Sequence, residues 1–200
     1  MVKNIIFDIG NVLTDFCWEE FYKNQGFSEE ILERVGKATV LSPKQWCEYD
    51  RGALSDEEIV DSFVRNDPEI EKEIRQSQED LHGMVTRREY AIPWVKELKA
   101  AGWNVYYLSN FSKKAAVDCA DALDFIPYMD GGILSFQDKL IKPDAAIYEL
   151  LLKRYSLKAE ECVFLDDTPA NVEMAKKVGI HSFVFTEKAL AEIELEKLRA

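Results

Sequence analysis

Apolar residues along the chain recur in two spacings, and their alternation predicts the architecture. Residues 5–7 form a continuous apolar run that ends at Asp8, and its β-branched and aromatic side chains are typical of a strand buried in a parallel sheet. Further runs of this kind lie at 103–108, 131–136, 162–165 and 182–185. Because helical spacing separates these runs, we predict βαβ crossovers and an α/β fold with a Rossmann-like, doubly wound parallel sheet.

From residue 17 to residue 88 the apolar spacing is almost entirely helical. Ser28 and Ser55 each precede acidic residues and a helical apolar repeat, which is the pattern of a helix N-cap, and Pro43 opens a further short helix. The segment therefore predicts a small helical-bundle cap of four or five helices, inserted into the α/β sequence. We expect two domains, a core of residues 1–16 and 89–200 and a cap of residues 17–88.

Composition and charge narrow the class of protein. The 200 residues are 47% hydrophobic and 31% charged, enough for one sizeable core and a small second lobe. The formal net charge of −12 argues against nucleic acid or a membrane surface as a partner, since both bind clustered Lys and Arg side chains. Four scattered cysteines, no visible signal peptide and no apolar run of membrane length predict reduced thiols and a cytoplasmic protein.

Polar or ionisable residues follow the first four predicted strands. They are Asp8 after the first, Ser109 and Asn110 after the second, Lys142 after the third, and Asp166 and Asp167 after the fourth. Taken singly, each fits a helix cap or a turn. Taken together, three carboxylates and a lysine at one sheet edge would repel and desolvate one another unless a cation and an anion lay between them. The set therefore predicts a site for Mg²⁺ and a phosphate group.

These residue types suit phosphoryl transfer. A carboxylate such as Asp8 can attack phosphorus and form an aspartyl-phosphate, provided that Mg²⁺ neutralises the charge between the two anions. Lys142 and the Ser109 hydroxyl would bind the phosphate oxygens. Because consecutive strand residues point to opposite faces, we expect Asp167 to bind the metal directly and Asp166 to bind alongside it or through water.

Four segments carry a resemblance to a known family: the hydrophobic strand ending at Asp8, Leu108-Ser109-Asn110, Lys142-Pro143, and residues 164–171. In this order they resemble the four motifs of the haloacid dehalogenase superfamily, and the resemblance covers essentially the whole chain, including a helical cap of the C1 type. Within that superfamily the chain is similar to bacterial glucose-1-phosphate phosphatases and to the N-terminal phosphatase domain of soluble epoxide hydrolase. The resemblance implies Asp8 as nucleophile, Mg²⁺ bound by Asp8, the Gly10 carbonyl and Asp167, and phosphate bound by Ser109, Asn110 and Lys142.

One position departs from most phosphatases of this superfamily, which carry a second Asp two residues after the nucleophile as general acid and base. This chain has Gly10 there. A positioned general acid or base contributes about 10²–10⁴-fold to the rate, so its loss matters unless another group replaces it. Water, Asp15 and a residue of the cap are the candidates, and the anomeric oxygen of a sugar 1-phosphate needs the proton least.

Three functions stay open at this point. The first is a Mg²⁺-dependent hydrolase of phosphate monoesters acting on a small phosphorylated metabolite, such as a sugar phosphate. The second is a non-catalytic phosphate-binding protein that has lost its general acid. The third, a haloacid dehalogenase, needs no metal and would leave the paired Asp166 and Asp167 unexplained.

The cap adds three candidate substrate-binding residues, Trp46, Tyr49 and Arg51, at a predicted helix end that could face the site. For the two aromatic residues a place in the core of the cap is favoured over a binding role. Arg51 lies beside a glycine and is a plausible ligand for hydroxyl or phosphate groups. The sequence does not predict the oligomeric state.

Overall fold

A parallel sheet forms the centre of the protein in the computed structural model, which describes residues 1–199. In chain order the strands are β1 (Asn4–Phe7), β2 (Thr14–Phe16), β3 (Val85–Arg87), β4 (Asn104–Ser109), β5 (Gly131–Leu134), β6 (Cys162–Asp166) and β7 (His181–Val184). Five of these pair in parallel in the order β5-β4-β1-β6-β7, with β1 at the centre. The predicted Rossmann-like α/β sheet is confirmed.

Helices precede or follow each strand of this sheet. In chain order they are α1 (Trp18–Asn24), α2 (Glu29–Ala38), α3 (Pro43–Arg51), α4 (Asp56–Val64), α5 (Glu71–Ser77), α6 (Ala91–Ala100), α7 (Lys113–Asp118), α8 (Ser135–Asp138), α9 (Ala145–Arg154), α10 (Pro169–Lys177) and α11 (Lys188–Arg199). Helix starts follow local chemistry, since Ser28 caps α2 and Ser55 forms a capping box with Glu58 at the start of α4. None of the helices within residues 1–199 is long and apolar enough to cross a membrane, and the cytoplasmic location stays a prediction.

The two faces of the sheet are buried against different helices. Ile5 and Phe7 of β1 point to one face, where they join a cluster with α6 and α11. Ile6 points to the other face and packs in a second cluster with α9 and α10. Successive strand residues alternate between faces, so a continuous apolar run is what a sheet covered on both sides requires. This packing fixes the carboxyl ends of the strands at one edge.

Helices α1 to α5 lie between the short strands β2 and β3, which pair with each other in an antiparallel ribbon. The segment 17–88 is mostly helical, as predicted, but it also contains β3, a strand that the apolar spacing does not indicate. Three residues are too few to show an alternating pattern, and the partner strand lies about 70 residues earlier in the chain. The apolar interior of these helices is continuous with one face of the sheet. Their behaviour as a separate domain stays a prediction.

Candidate active site

Three carboxylates meet at the carboxyl edge of the central strands. Asp8 directly follows β1, Asp166 ends β6 and Asp167 comes next. Strands β1 and β6 are parallel neighbours, with Phe7 opposite Leu165, so the residues that follow them are adjacent. Oxygen atoms from the three side chains all lie within 4.8 Å of one another. Ligands of open α/β sheets bind at this edge, which makes the cluster the expected place for a site.

A buried ammonium group joins two of these carboxylates. Lys142 Nζ lies 2.8 Å from Asp8 Oδ1 and donates to Asp166 Oδ2 at 2.6 Å, and the residue is only 3% exposed. Burial alone would lower the pKa of Lys142, but attraction to Asp8 and Asp166 outweighs it and raises the pKa. Lys142 therefore stays charged within the protein.

Asp166 is saturated by hydrogen-bond donors. Besides Lys142, the Asn171 side-chain amide contacts both Asp166 oxygens at 3.0 Å, and the Thr168 backbone N–H donates to Oδ1 at 2.8 Å. Asp166 is fully buried. Its contacts suit a residue that fixes the position of Lys142 more than one that binds a metal directly.

The surroundings of Asp8 shift the pKa of its carboxyl group in opposing directions. Burial raises the pKa of Asp8 to about 7, attraction to Lys142 opposes the rise, and repulsion from Asp166 adds to it. The Ser109 hydroxyl and Lys142 lower the pKa by hydrogen bonds, and the Ile9 backbone N–H donates to Oδ1 at 2.7 Å. A divalent cation nearby would favour the ionised carboxylate that a nucleophile requires.

The residues beside Asp8 fit such a cation. Asp167 is half-buried, lines the same cavity as Asp8 and Gly10, and accepts a hydrogen bond from Asn11 Nδ2 at 3.0 Å. Mg²⁺ prefers oxygen ligands and is typically bound through one or two carboxylates with water and substrate oxygens completing the shell. Asp8 and Asp167, with the backbone at Gly10, form a donor set of this kind.

The predicted phosphate-binding residues lie around Asp8, but the side chains of Ser109 and Asn110 make hydrogen bonds to different partners. Ser109 is buried and its hydroxyl bonds to Asp8. Asn110 lines the cavity, yet its side-chain amide donates to the Lys142 carbonyl at 3.0 Å and accepts from the Lys142 N–H at 2.8 Å. Asn110 therefore holds the backbone of the lysine loop in place.

A cavity of about 260 Å³ opens above these groups. Its floor is polar and includes Asp8, Gly10 and Asp167. Thr14, Ser112 and Thr168 add hydroxyl groups, and of these Thr14 and Ser112 already bond to backbone within the protein. Five further lining residues are apolar: Phe16, Trp46, Val85, Phe111 and Ala115.

The structure brings one of the three predicted cap residues to this cavity. Trp46 lines it. Tyr49 is buried in the aromatic core of the cap, 5.9 Å from Phe63 between ring centroids, and Arg51 pairs with Glu48 at 3.2 Å. Neither Tyr49 nor Arg51 lines the cavity.

The structure places Asp50 in the wall of the cavity, a residue that the sequence analysis passed over. The signal was weak, because nothing local distinguishes Asp50 from the other charged residues at the end of α3. Asp15, a candidate for the missing acid, instead bonds to Arg88 at 2.8 Å in the segment that follows β3 and does not line the cavity.

The fold and the site together define an α/β enzyme that works at the carboxyl edge of its sheet with an acidic cluster and a buried lysine. Comparison with known families agrees with this class. The sequence of residues 2–179 matches the family model of the haloacid dehalogenase-like hydrolases. The chain belongs to this family of hydrolases.

Individual relatives have low sequence identity to this chain, but they match nearly its whole length. Sesquiterpene phosphatase astK of Aspergillus oryzae is 24% identical over 196 residues, 98% of this chain and 96% of its own. Drimenol cyclase drtB of Aspergillus calidoustus is 26% identical over 99% of this chain, which spans 37% of the length of that relative. A haloacid dehalogenase family enzyme of Bacteroides thetaiotaomicron, solved with magnesium and inorganic phosphate, superposes with a TM-score of 0.68 at 21% identity and covers 93% of this chain and 95% of its own. This last likeness shows the fold alone.

Proposed function

We propose that this protein is a Mg²⁺-dependent hydrolase of phosphate monoesters that works through a phosphorylated Asp8. The observation that carries the proposal is the convergence of Asp8, Lys142 and Asp167 at one edge of the sheet, with Asp8 and Asp167 open to a single cavity. The haloacid dehalogenase alternative leaves Asp167 without a role.

Each residue of the site has a separate role in the proposed hydrolysis. The Asp8 carboxylate attacks phosphorus, the bond to the leaving oxygen breaks, and water then attacks the aspartyl-phosphate to release phosphate and restore Asp8. Lys142 and the Ser109 hydroxyl are placed to stabilise charge on the phosphate oxygens, and Asn110 holds the lysine loop. Asp8, Asp167 and the Gly10 carbonyl would hold Mg²⁺, which when bound would supply the positive charge that attack of an anion on an anion requires. Asp166 positions Lys142.

The apolar wall favours a substrate whose alcohol portion is apolar. Phe16, Trp46 and Phe111 offer aromatic surface with a single side-chain donor among them, the Trp46 indole N–H, so this part of the wall suits an apolar group better than the hydroxyl-bearing ring of a sugar phosphate. The name of astK, a sesquiterpene phosphatase, points in the same direction. We therefore propose a small phosphorylated metabolite with an apolar tail, such as an isoprenyl phosphate, ahead of the sugar phosphate suggested by the family resemblance.

A panel of phosphate esters tests this function. Purified protein is assayed for phosphate release from p-nitrophenyl, alkyl, geranyl, farnesyl and glucose 1-phosphates, with Mg²⁺ and with a chelator. We expect turnover only with Mg²⁺ and a higher kcat/KM for the apolar esters. Asp8→Asn should lower kcat by more than about 10³-fold. Asp61→Asn, an exposed carboxylate of the cap paired with Arg75, is the matched control and should leave the rate unchanged.

Each alternative has its own outcome in the same experiment. Halide release from 2-haloacids without Mg²⁺ would favour a dehalogenase. Phosphate binding without turnover of any ester would favour a scaffold. A higher kcat/KM for glucose 1-phosphate than for the prenyl esters would retain the phosphatase but reject the apolar substrate class.

A further inference from the structure

The position two residues after the nucleophile carries no proton donor. Gly10 lines the cavity, and a Cβ atom built on it would meet no heavy atom within 4 Å. The space beside the leaving group is therefore open at Gly10, and the acid must come from elsewhere if alcohols of ordinary basicity are to leave.

Asp50 is the carboxyl group that faces this space from the other side. It lies in the last turn of α3 and lines the same cavity as Asp8 and Gly10. Within residues 1–199 its carboxylate has no hydrogen bond and no ion pair. A carboxyl group aimed into a cavity without a partner is free to exchange a proton with a ligand.

The end of α3 is fixed to the core, which holds Asp50 in place. The Ser135 hydroxyl at the start of α8 donates to the Asp50 carbonyl at 2.5 Å and also accepts from the Phe111 N–H at 2.8 Å. Next along the chain, Gly52 ends α3 in the left-handed conformation and packs directly on Phe136. The same loop that follows Ser109 and Asn110 is thus tied to the backbone of Asp50.

The surroundings of Asp50 shift its pKa toward the range of a general acid and base. Burial raises the pKa of Asp50 to about 7, repulsion from Asp8 adds to the rise, and attraction to Lys142 opposes it. The C-terminal end of a helix also disfavours negative charge. A group with a pKa near the working pH serves both as acid and as base.

We propose that Asp50 is the general acid and base of the hydrolysis, supplied by the cap in place of the residue that Gly10 replaces. This inference rests on the proposed function. In the first step Asp8 attacks phosphorus, the bond from phosphorus to the ester oxygen breaks, and the Asp50 proton goes to that oxygen to give the alcohol. In the second step Asp50 takes a proton from water, the hydroxide attacks phosphorus, and the bond to Asp8 breaks to release phosphate.

Asp50→Asn tests the assignment, since the amide keeps the shape and removes only the proton transfer. We expect kcat on alkyl phosphates to fall by about 10²–10⁴-fold. With p-nitrophenyl phosphate, whose leaving group departs without a proton, the variant should release one nitrophenolate per protein rapidly and then turn over slowly. Mass spectrometry should show the phosphorylated protein accumulating during that slow phase.

The matched control is Glu48→Gln, which removes a carboxylate from the same helix but outside the cavity. It should keep the wild-type rate on both kinds of ester. Gly10→Asp in the Asp50→Asn background should restore at least a tenth of the lost rate on alkyl phosphates, because the space at Gly10 admits a side chain.

The outcomes separate the two proposals. Wild-type turnover that Asp8→Asn abolishes and Asp50→Asn leaves unchanged would overturn only the role of Asp50. Equal losses on alkyl and aryl esters, with no burst and no phosphorylated protein, would mean that Asp50 acts only on structure and would also overturn it. Absence of turnover on every ester by the wild-type protein would remove both proposals together.

Discussion

The Lys142 side chain matters both for the stability of the fold and for the proposed reaction. Its ammonium lies between Asp8 and Asp166, and all three residues are buried. Removing one partner of a buried ion pair leaves the others charged without compensation. In the proposed reaction the same ammonium binds phosphate, so we expect a substitution there to affect both the free energy of unfolding and the rate.

We expect Lys142→Met to lower the free energy of unfolding by about 3–5 kcal/mol and to abolish turnover. The measurement is urea unfolding followed by circular dichroism, with phosphate release assayed in parallel. Lys113→Met, at an exposed lysine, is the control and should change neither quantity by much. A loss of less than about 1 kcal/mol, the range of exposed ion pairs, would show that the two carboxylates do not depend on Lys142.

The site residues whose place in the fold follows from the sequence are those that come directly after a strand. Asp8 and Asp167 directly follow two neighbouring parallel strands, whose carboxyl ends lie at one edge of the sheet. Asp50 could not be found in this way. Its place depends on the contact of α3 with Ser135, which lies 85 residues away, and no spacing rule predicts that contact.

At the scale of elements, the junction between α3 and α8 joins the cap to the core next to the site. Gly52 is central to it, because its φ of 65° favours glycine and an added Cβ would lie 2.8 Å from the Phe136 Cβ. Arg51 strengthens the junction through the Lys139 carbonyl at 3.5 Å and Asp144 at 3.8 Å. The packing of two elements, more than either alone, sets the position of Asp50.

Gly52→Ala should therefore disturb both stability and rate. We expect a loss of about 1–3 kcal/mol from overpacking beyond the cost of the backbone conformation, and up to about 10²-fold in kcat because Asp50 shifts. Gly26→Ala is the matched control, since Gly26 has a similar φ of 83° and no heavy atom within 4 Å of its added Cβ. Equal stability losses in urea unfolding and equal rates for the two variants would contradict this account of the junction.

The elements that the sequence missed are the short ones. Helices with N-caps and strands with long apolar runs were predicted because each carries its own periodic signal. The ribbon of β2 and β3 carries none, and it exists only because Phe16 and Val85 come together when the helices between them fold. The Tyr90 hydroxyl, which donates to the Val12 carbonyl at 2.6 Å, then ties this ribbon to the loop that follows Asp8.

At the scale of the whole molecule, the parallel sheet holds the site and the helices between β2 and β3 close over it. The charge of the site also decides how the protein depends on metal. Lys142 pairs with Asp8 and with Asp166, so the charge of one of these two buried carboxylates is compensated by the protein itself. Folding and activity should therefore respond differently when metal is removed.

Chelation of Mg²⁺ should abolish turnover while leaving the fold intact. We expect an unchanged far-UV spectrum, one cooperative unfolding transition, and a stability loss of no more than about 2.7 kcal/mol relative to protein at a hundredfold excess of Mg²⁺ over its Kd. Calorimetry with and without chelator measures this, and adding Mg²⁺ back should restore the rate. Collapse of the cooperative transition on chelation would show that the metal is part of the structure.

The lysine held between two aspartates thus has a consequence for the protein in a living cell. If chelation leaves the fold intact as expected, a newly synthesised chain would reach its folded structure before it binds a metal ion. Changes in the free Mg²⁺ concentration would then change the catalytic rate of folded molecules without unfolding them. Their susceptibility to proteolysis, and so their abundance, would not depend on Mg²⁺.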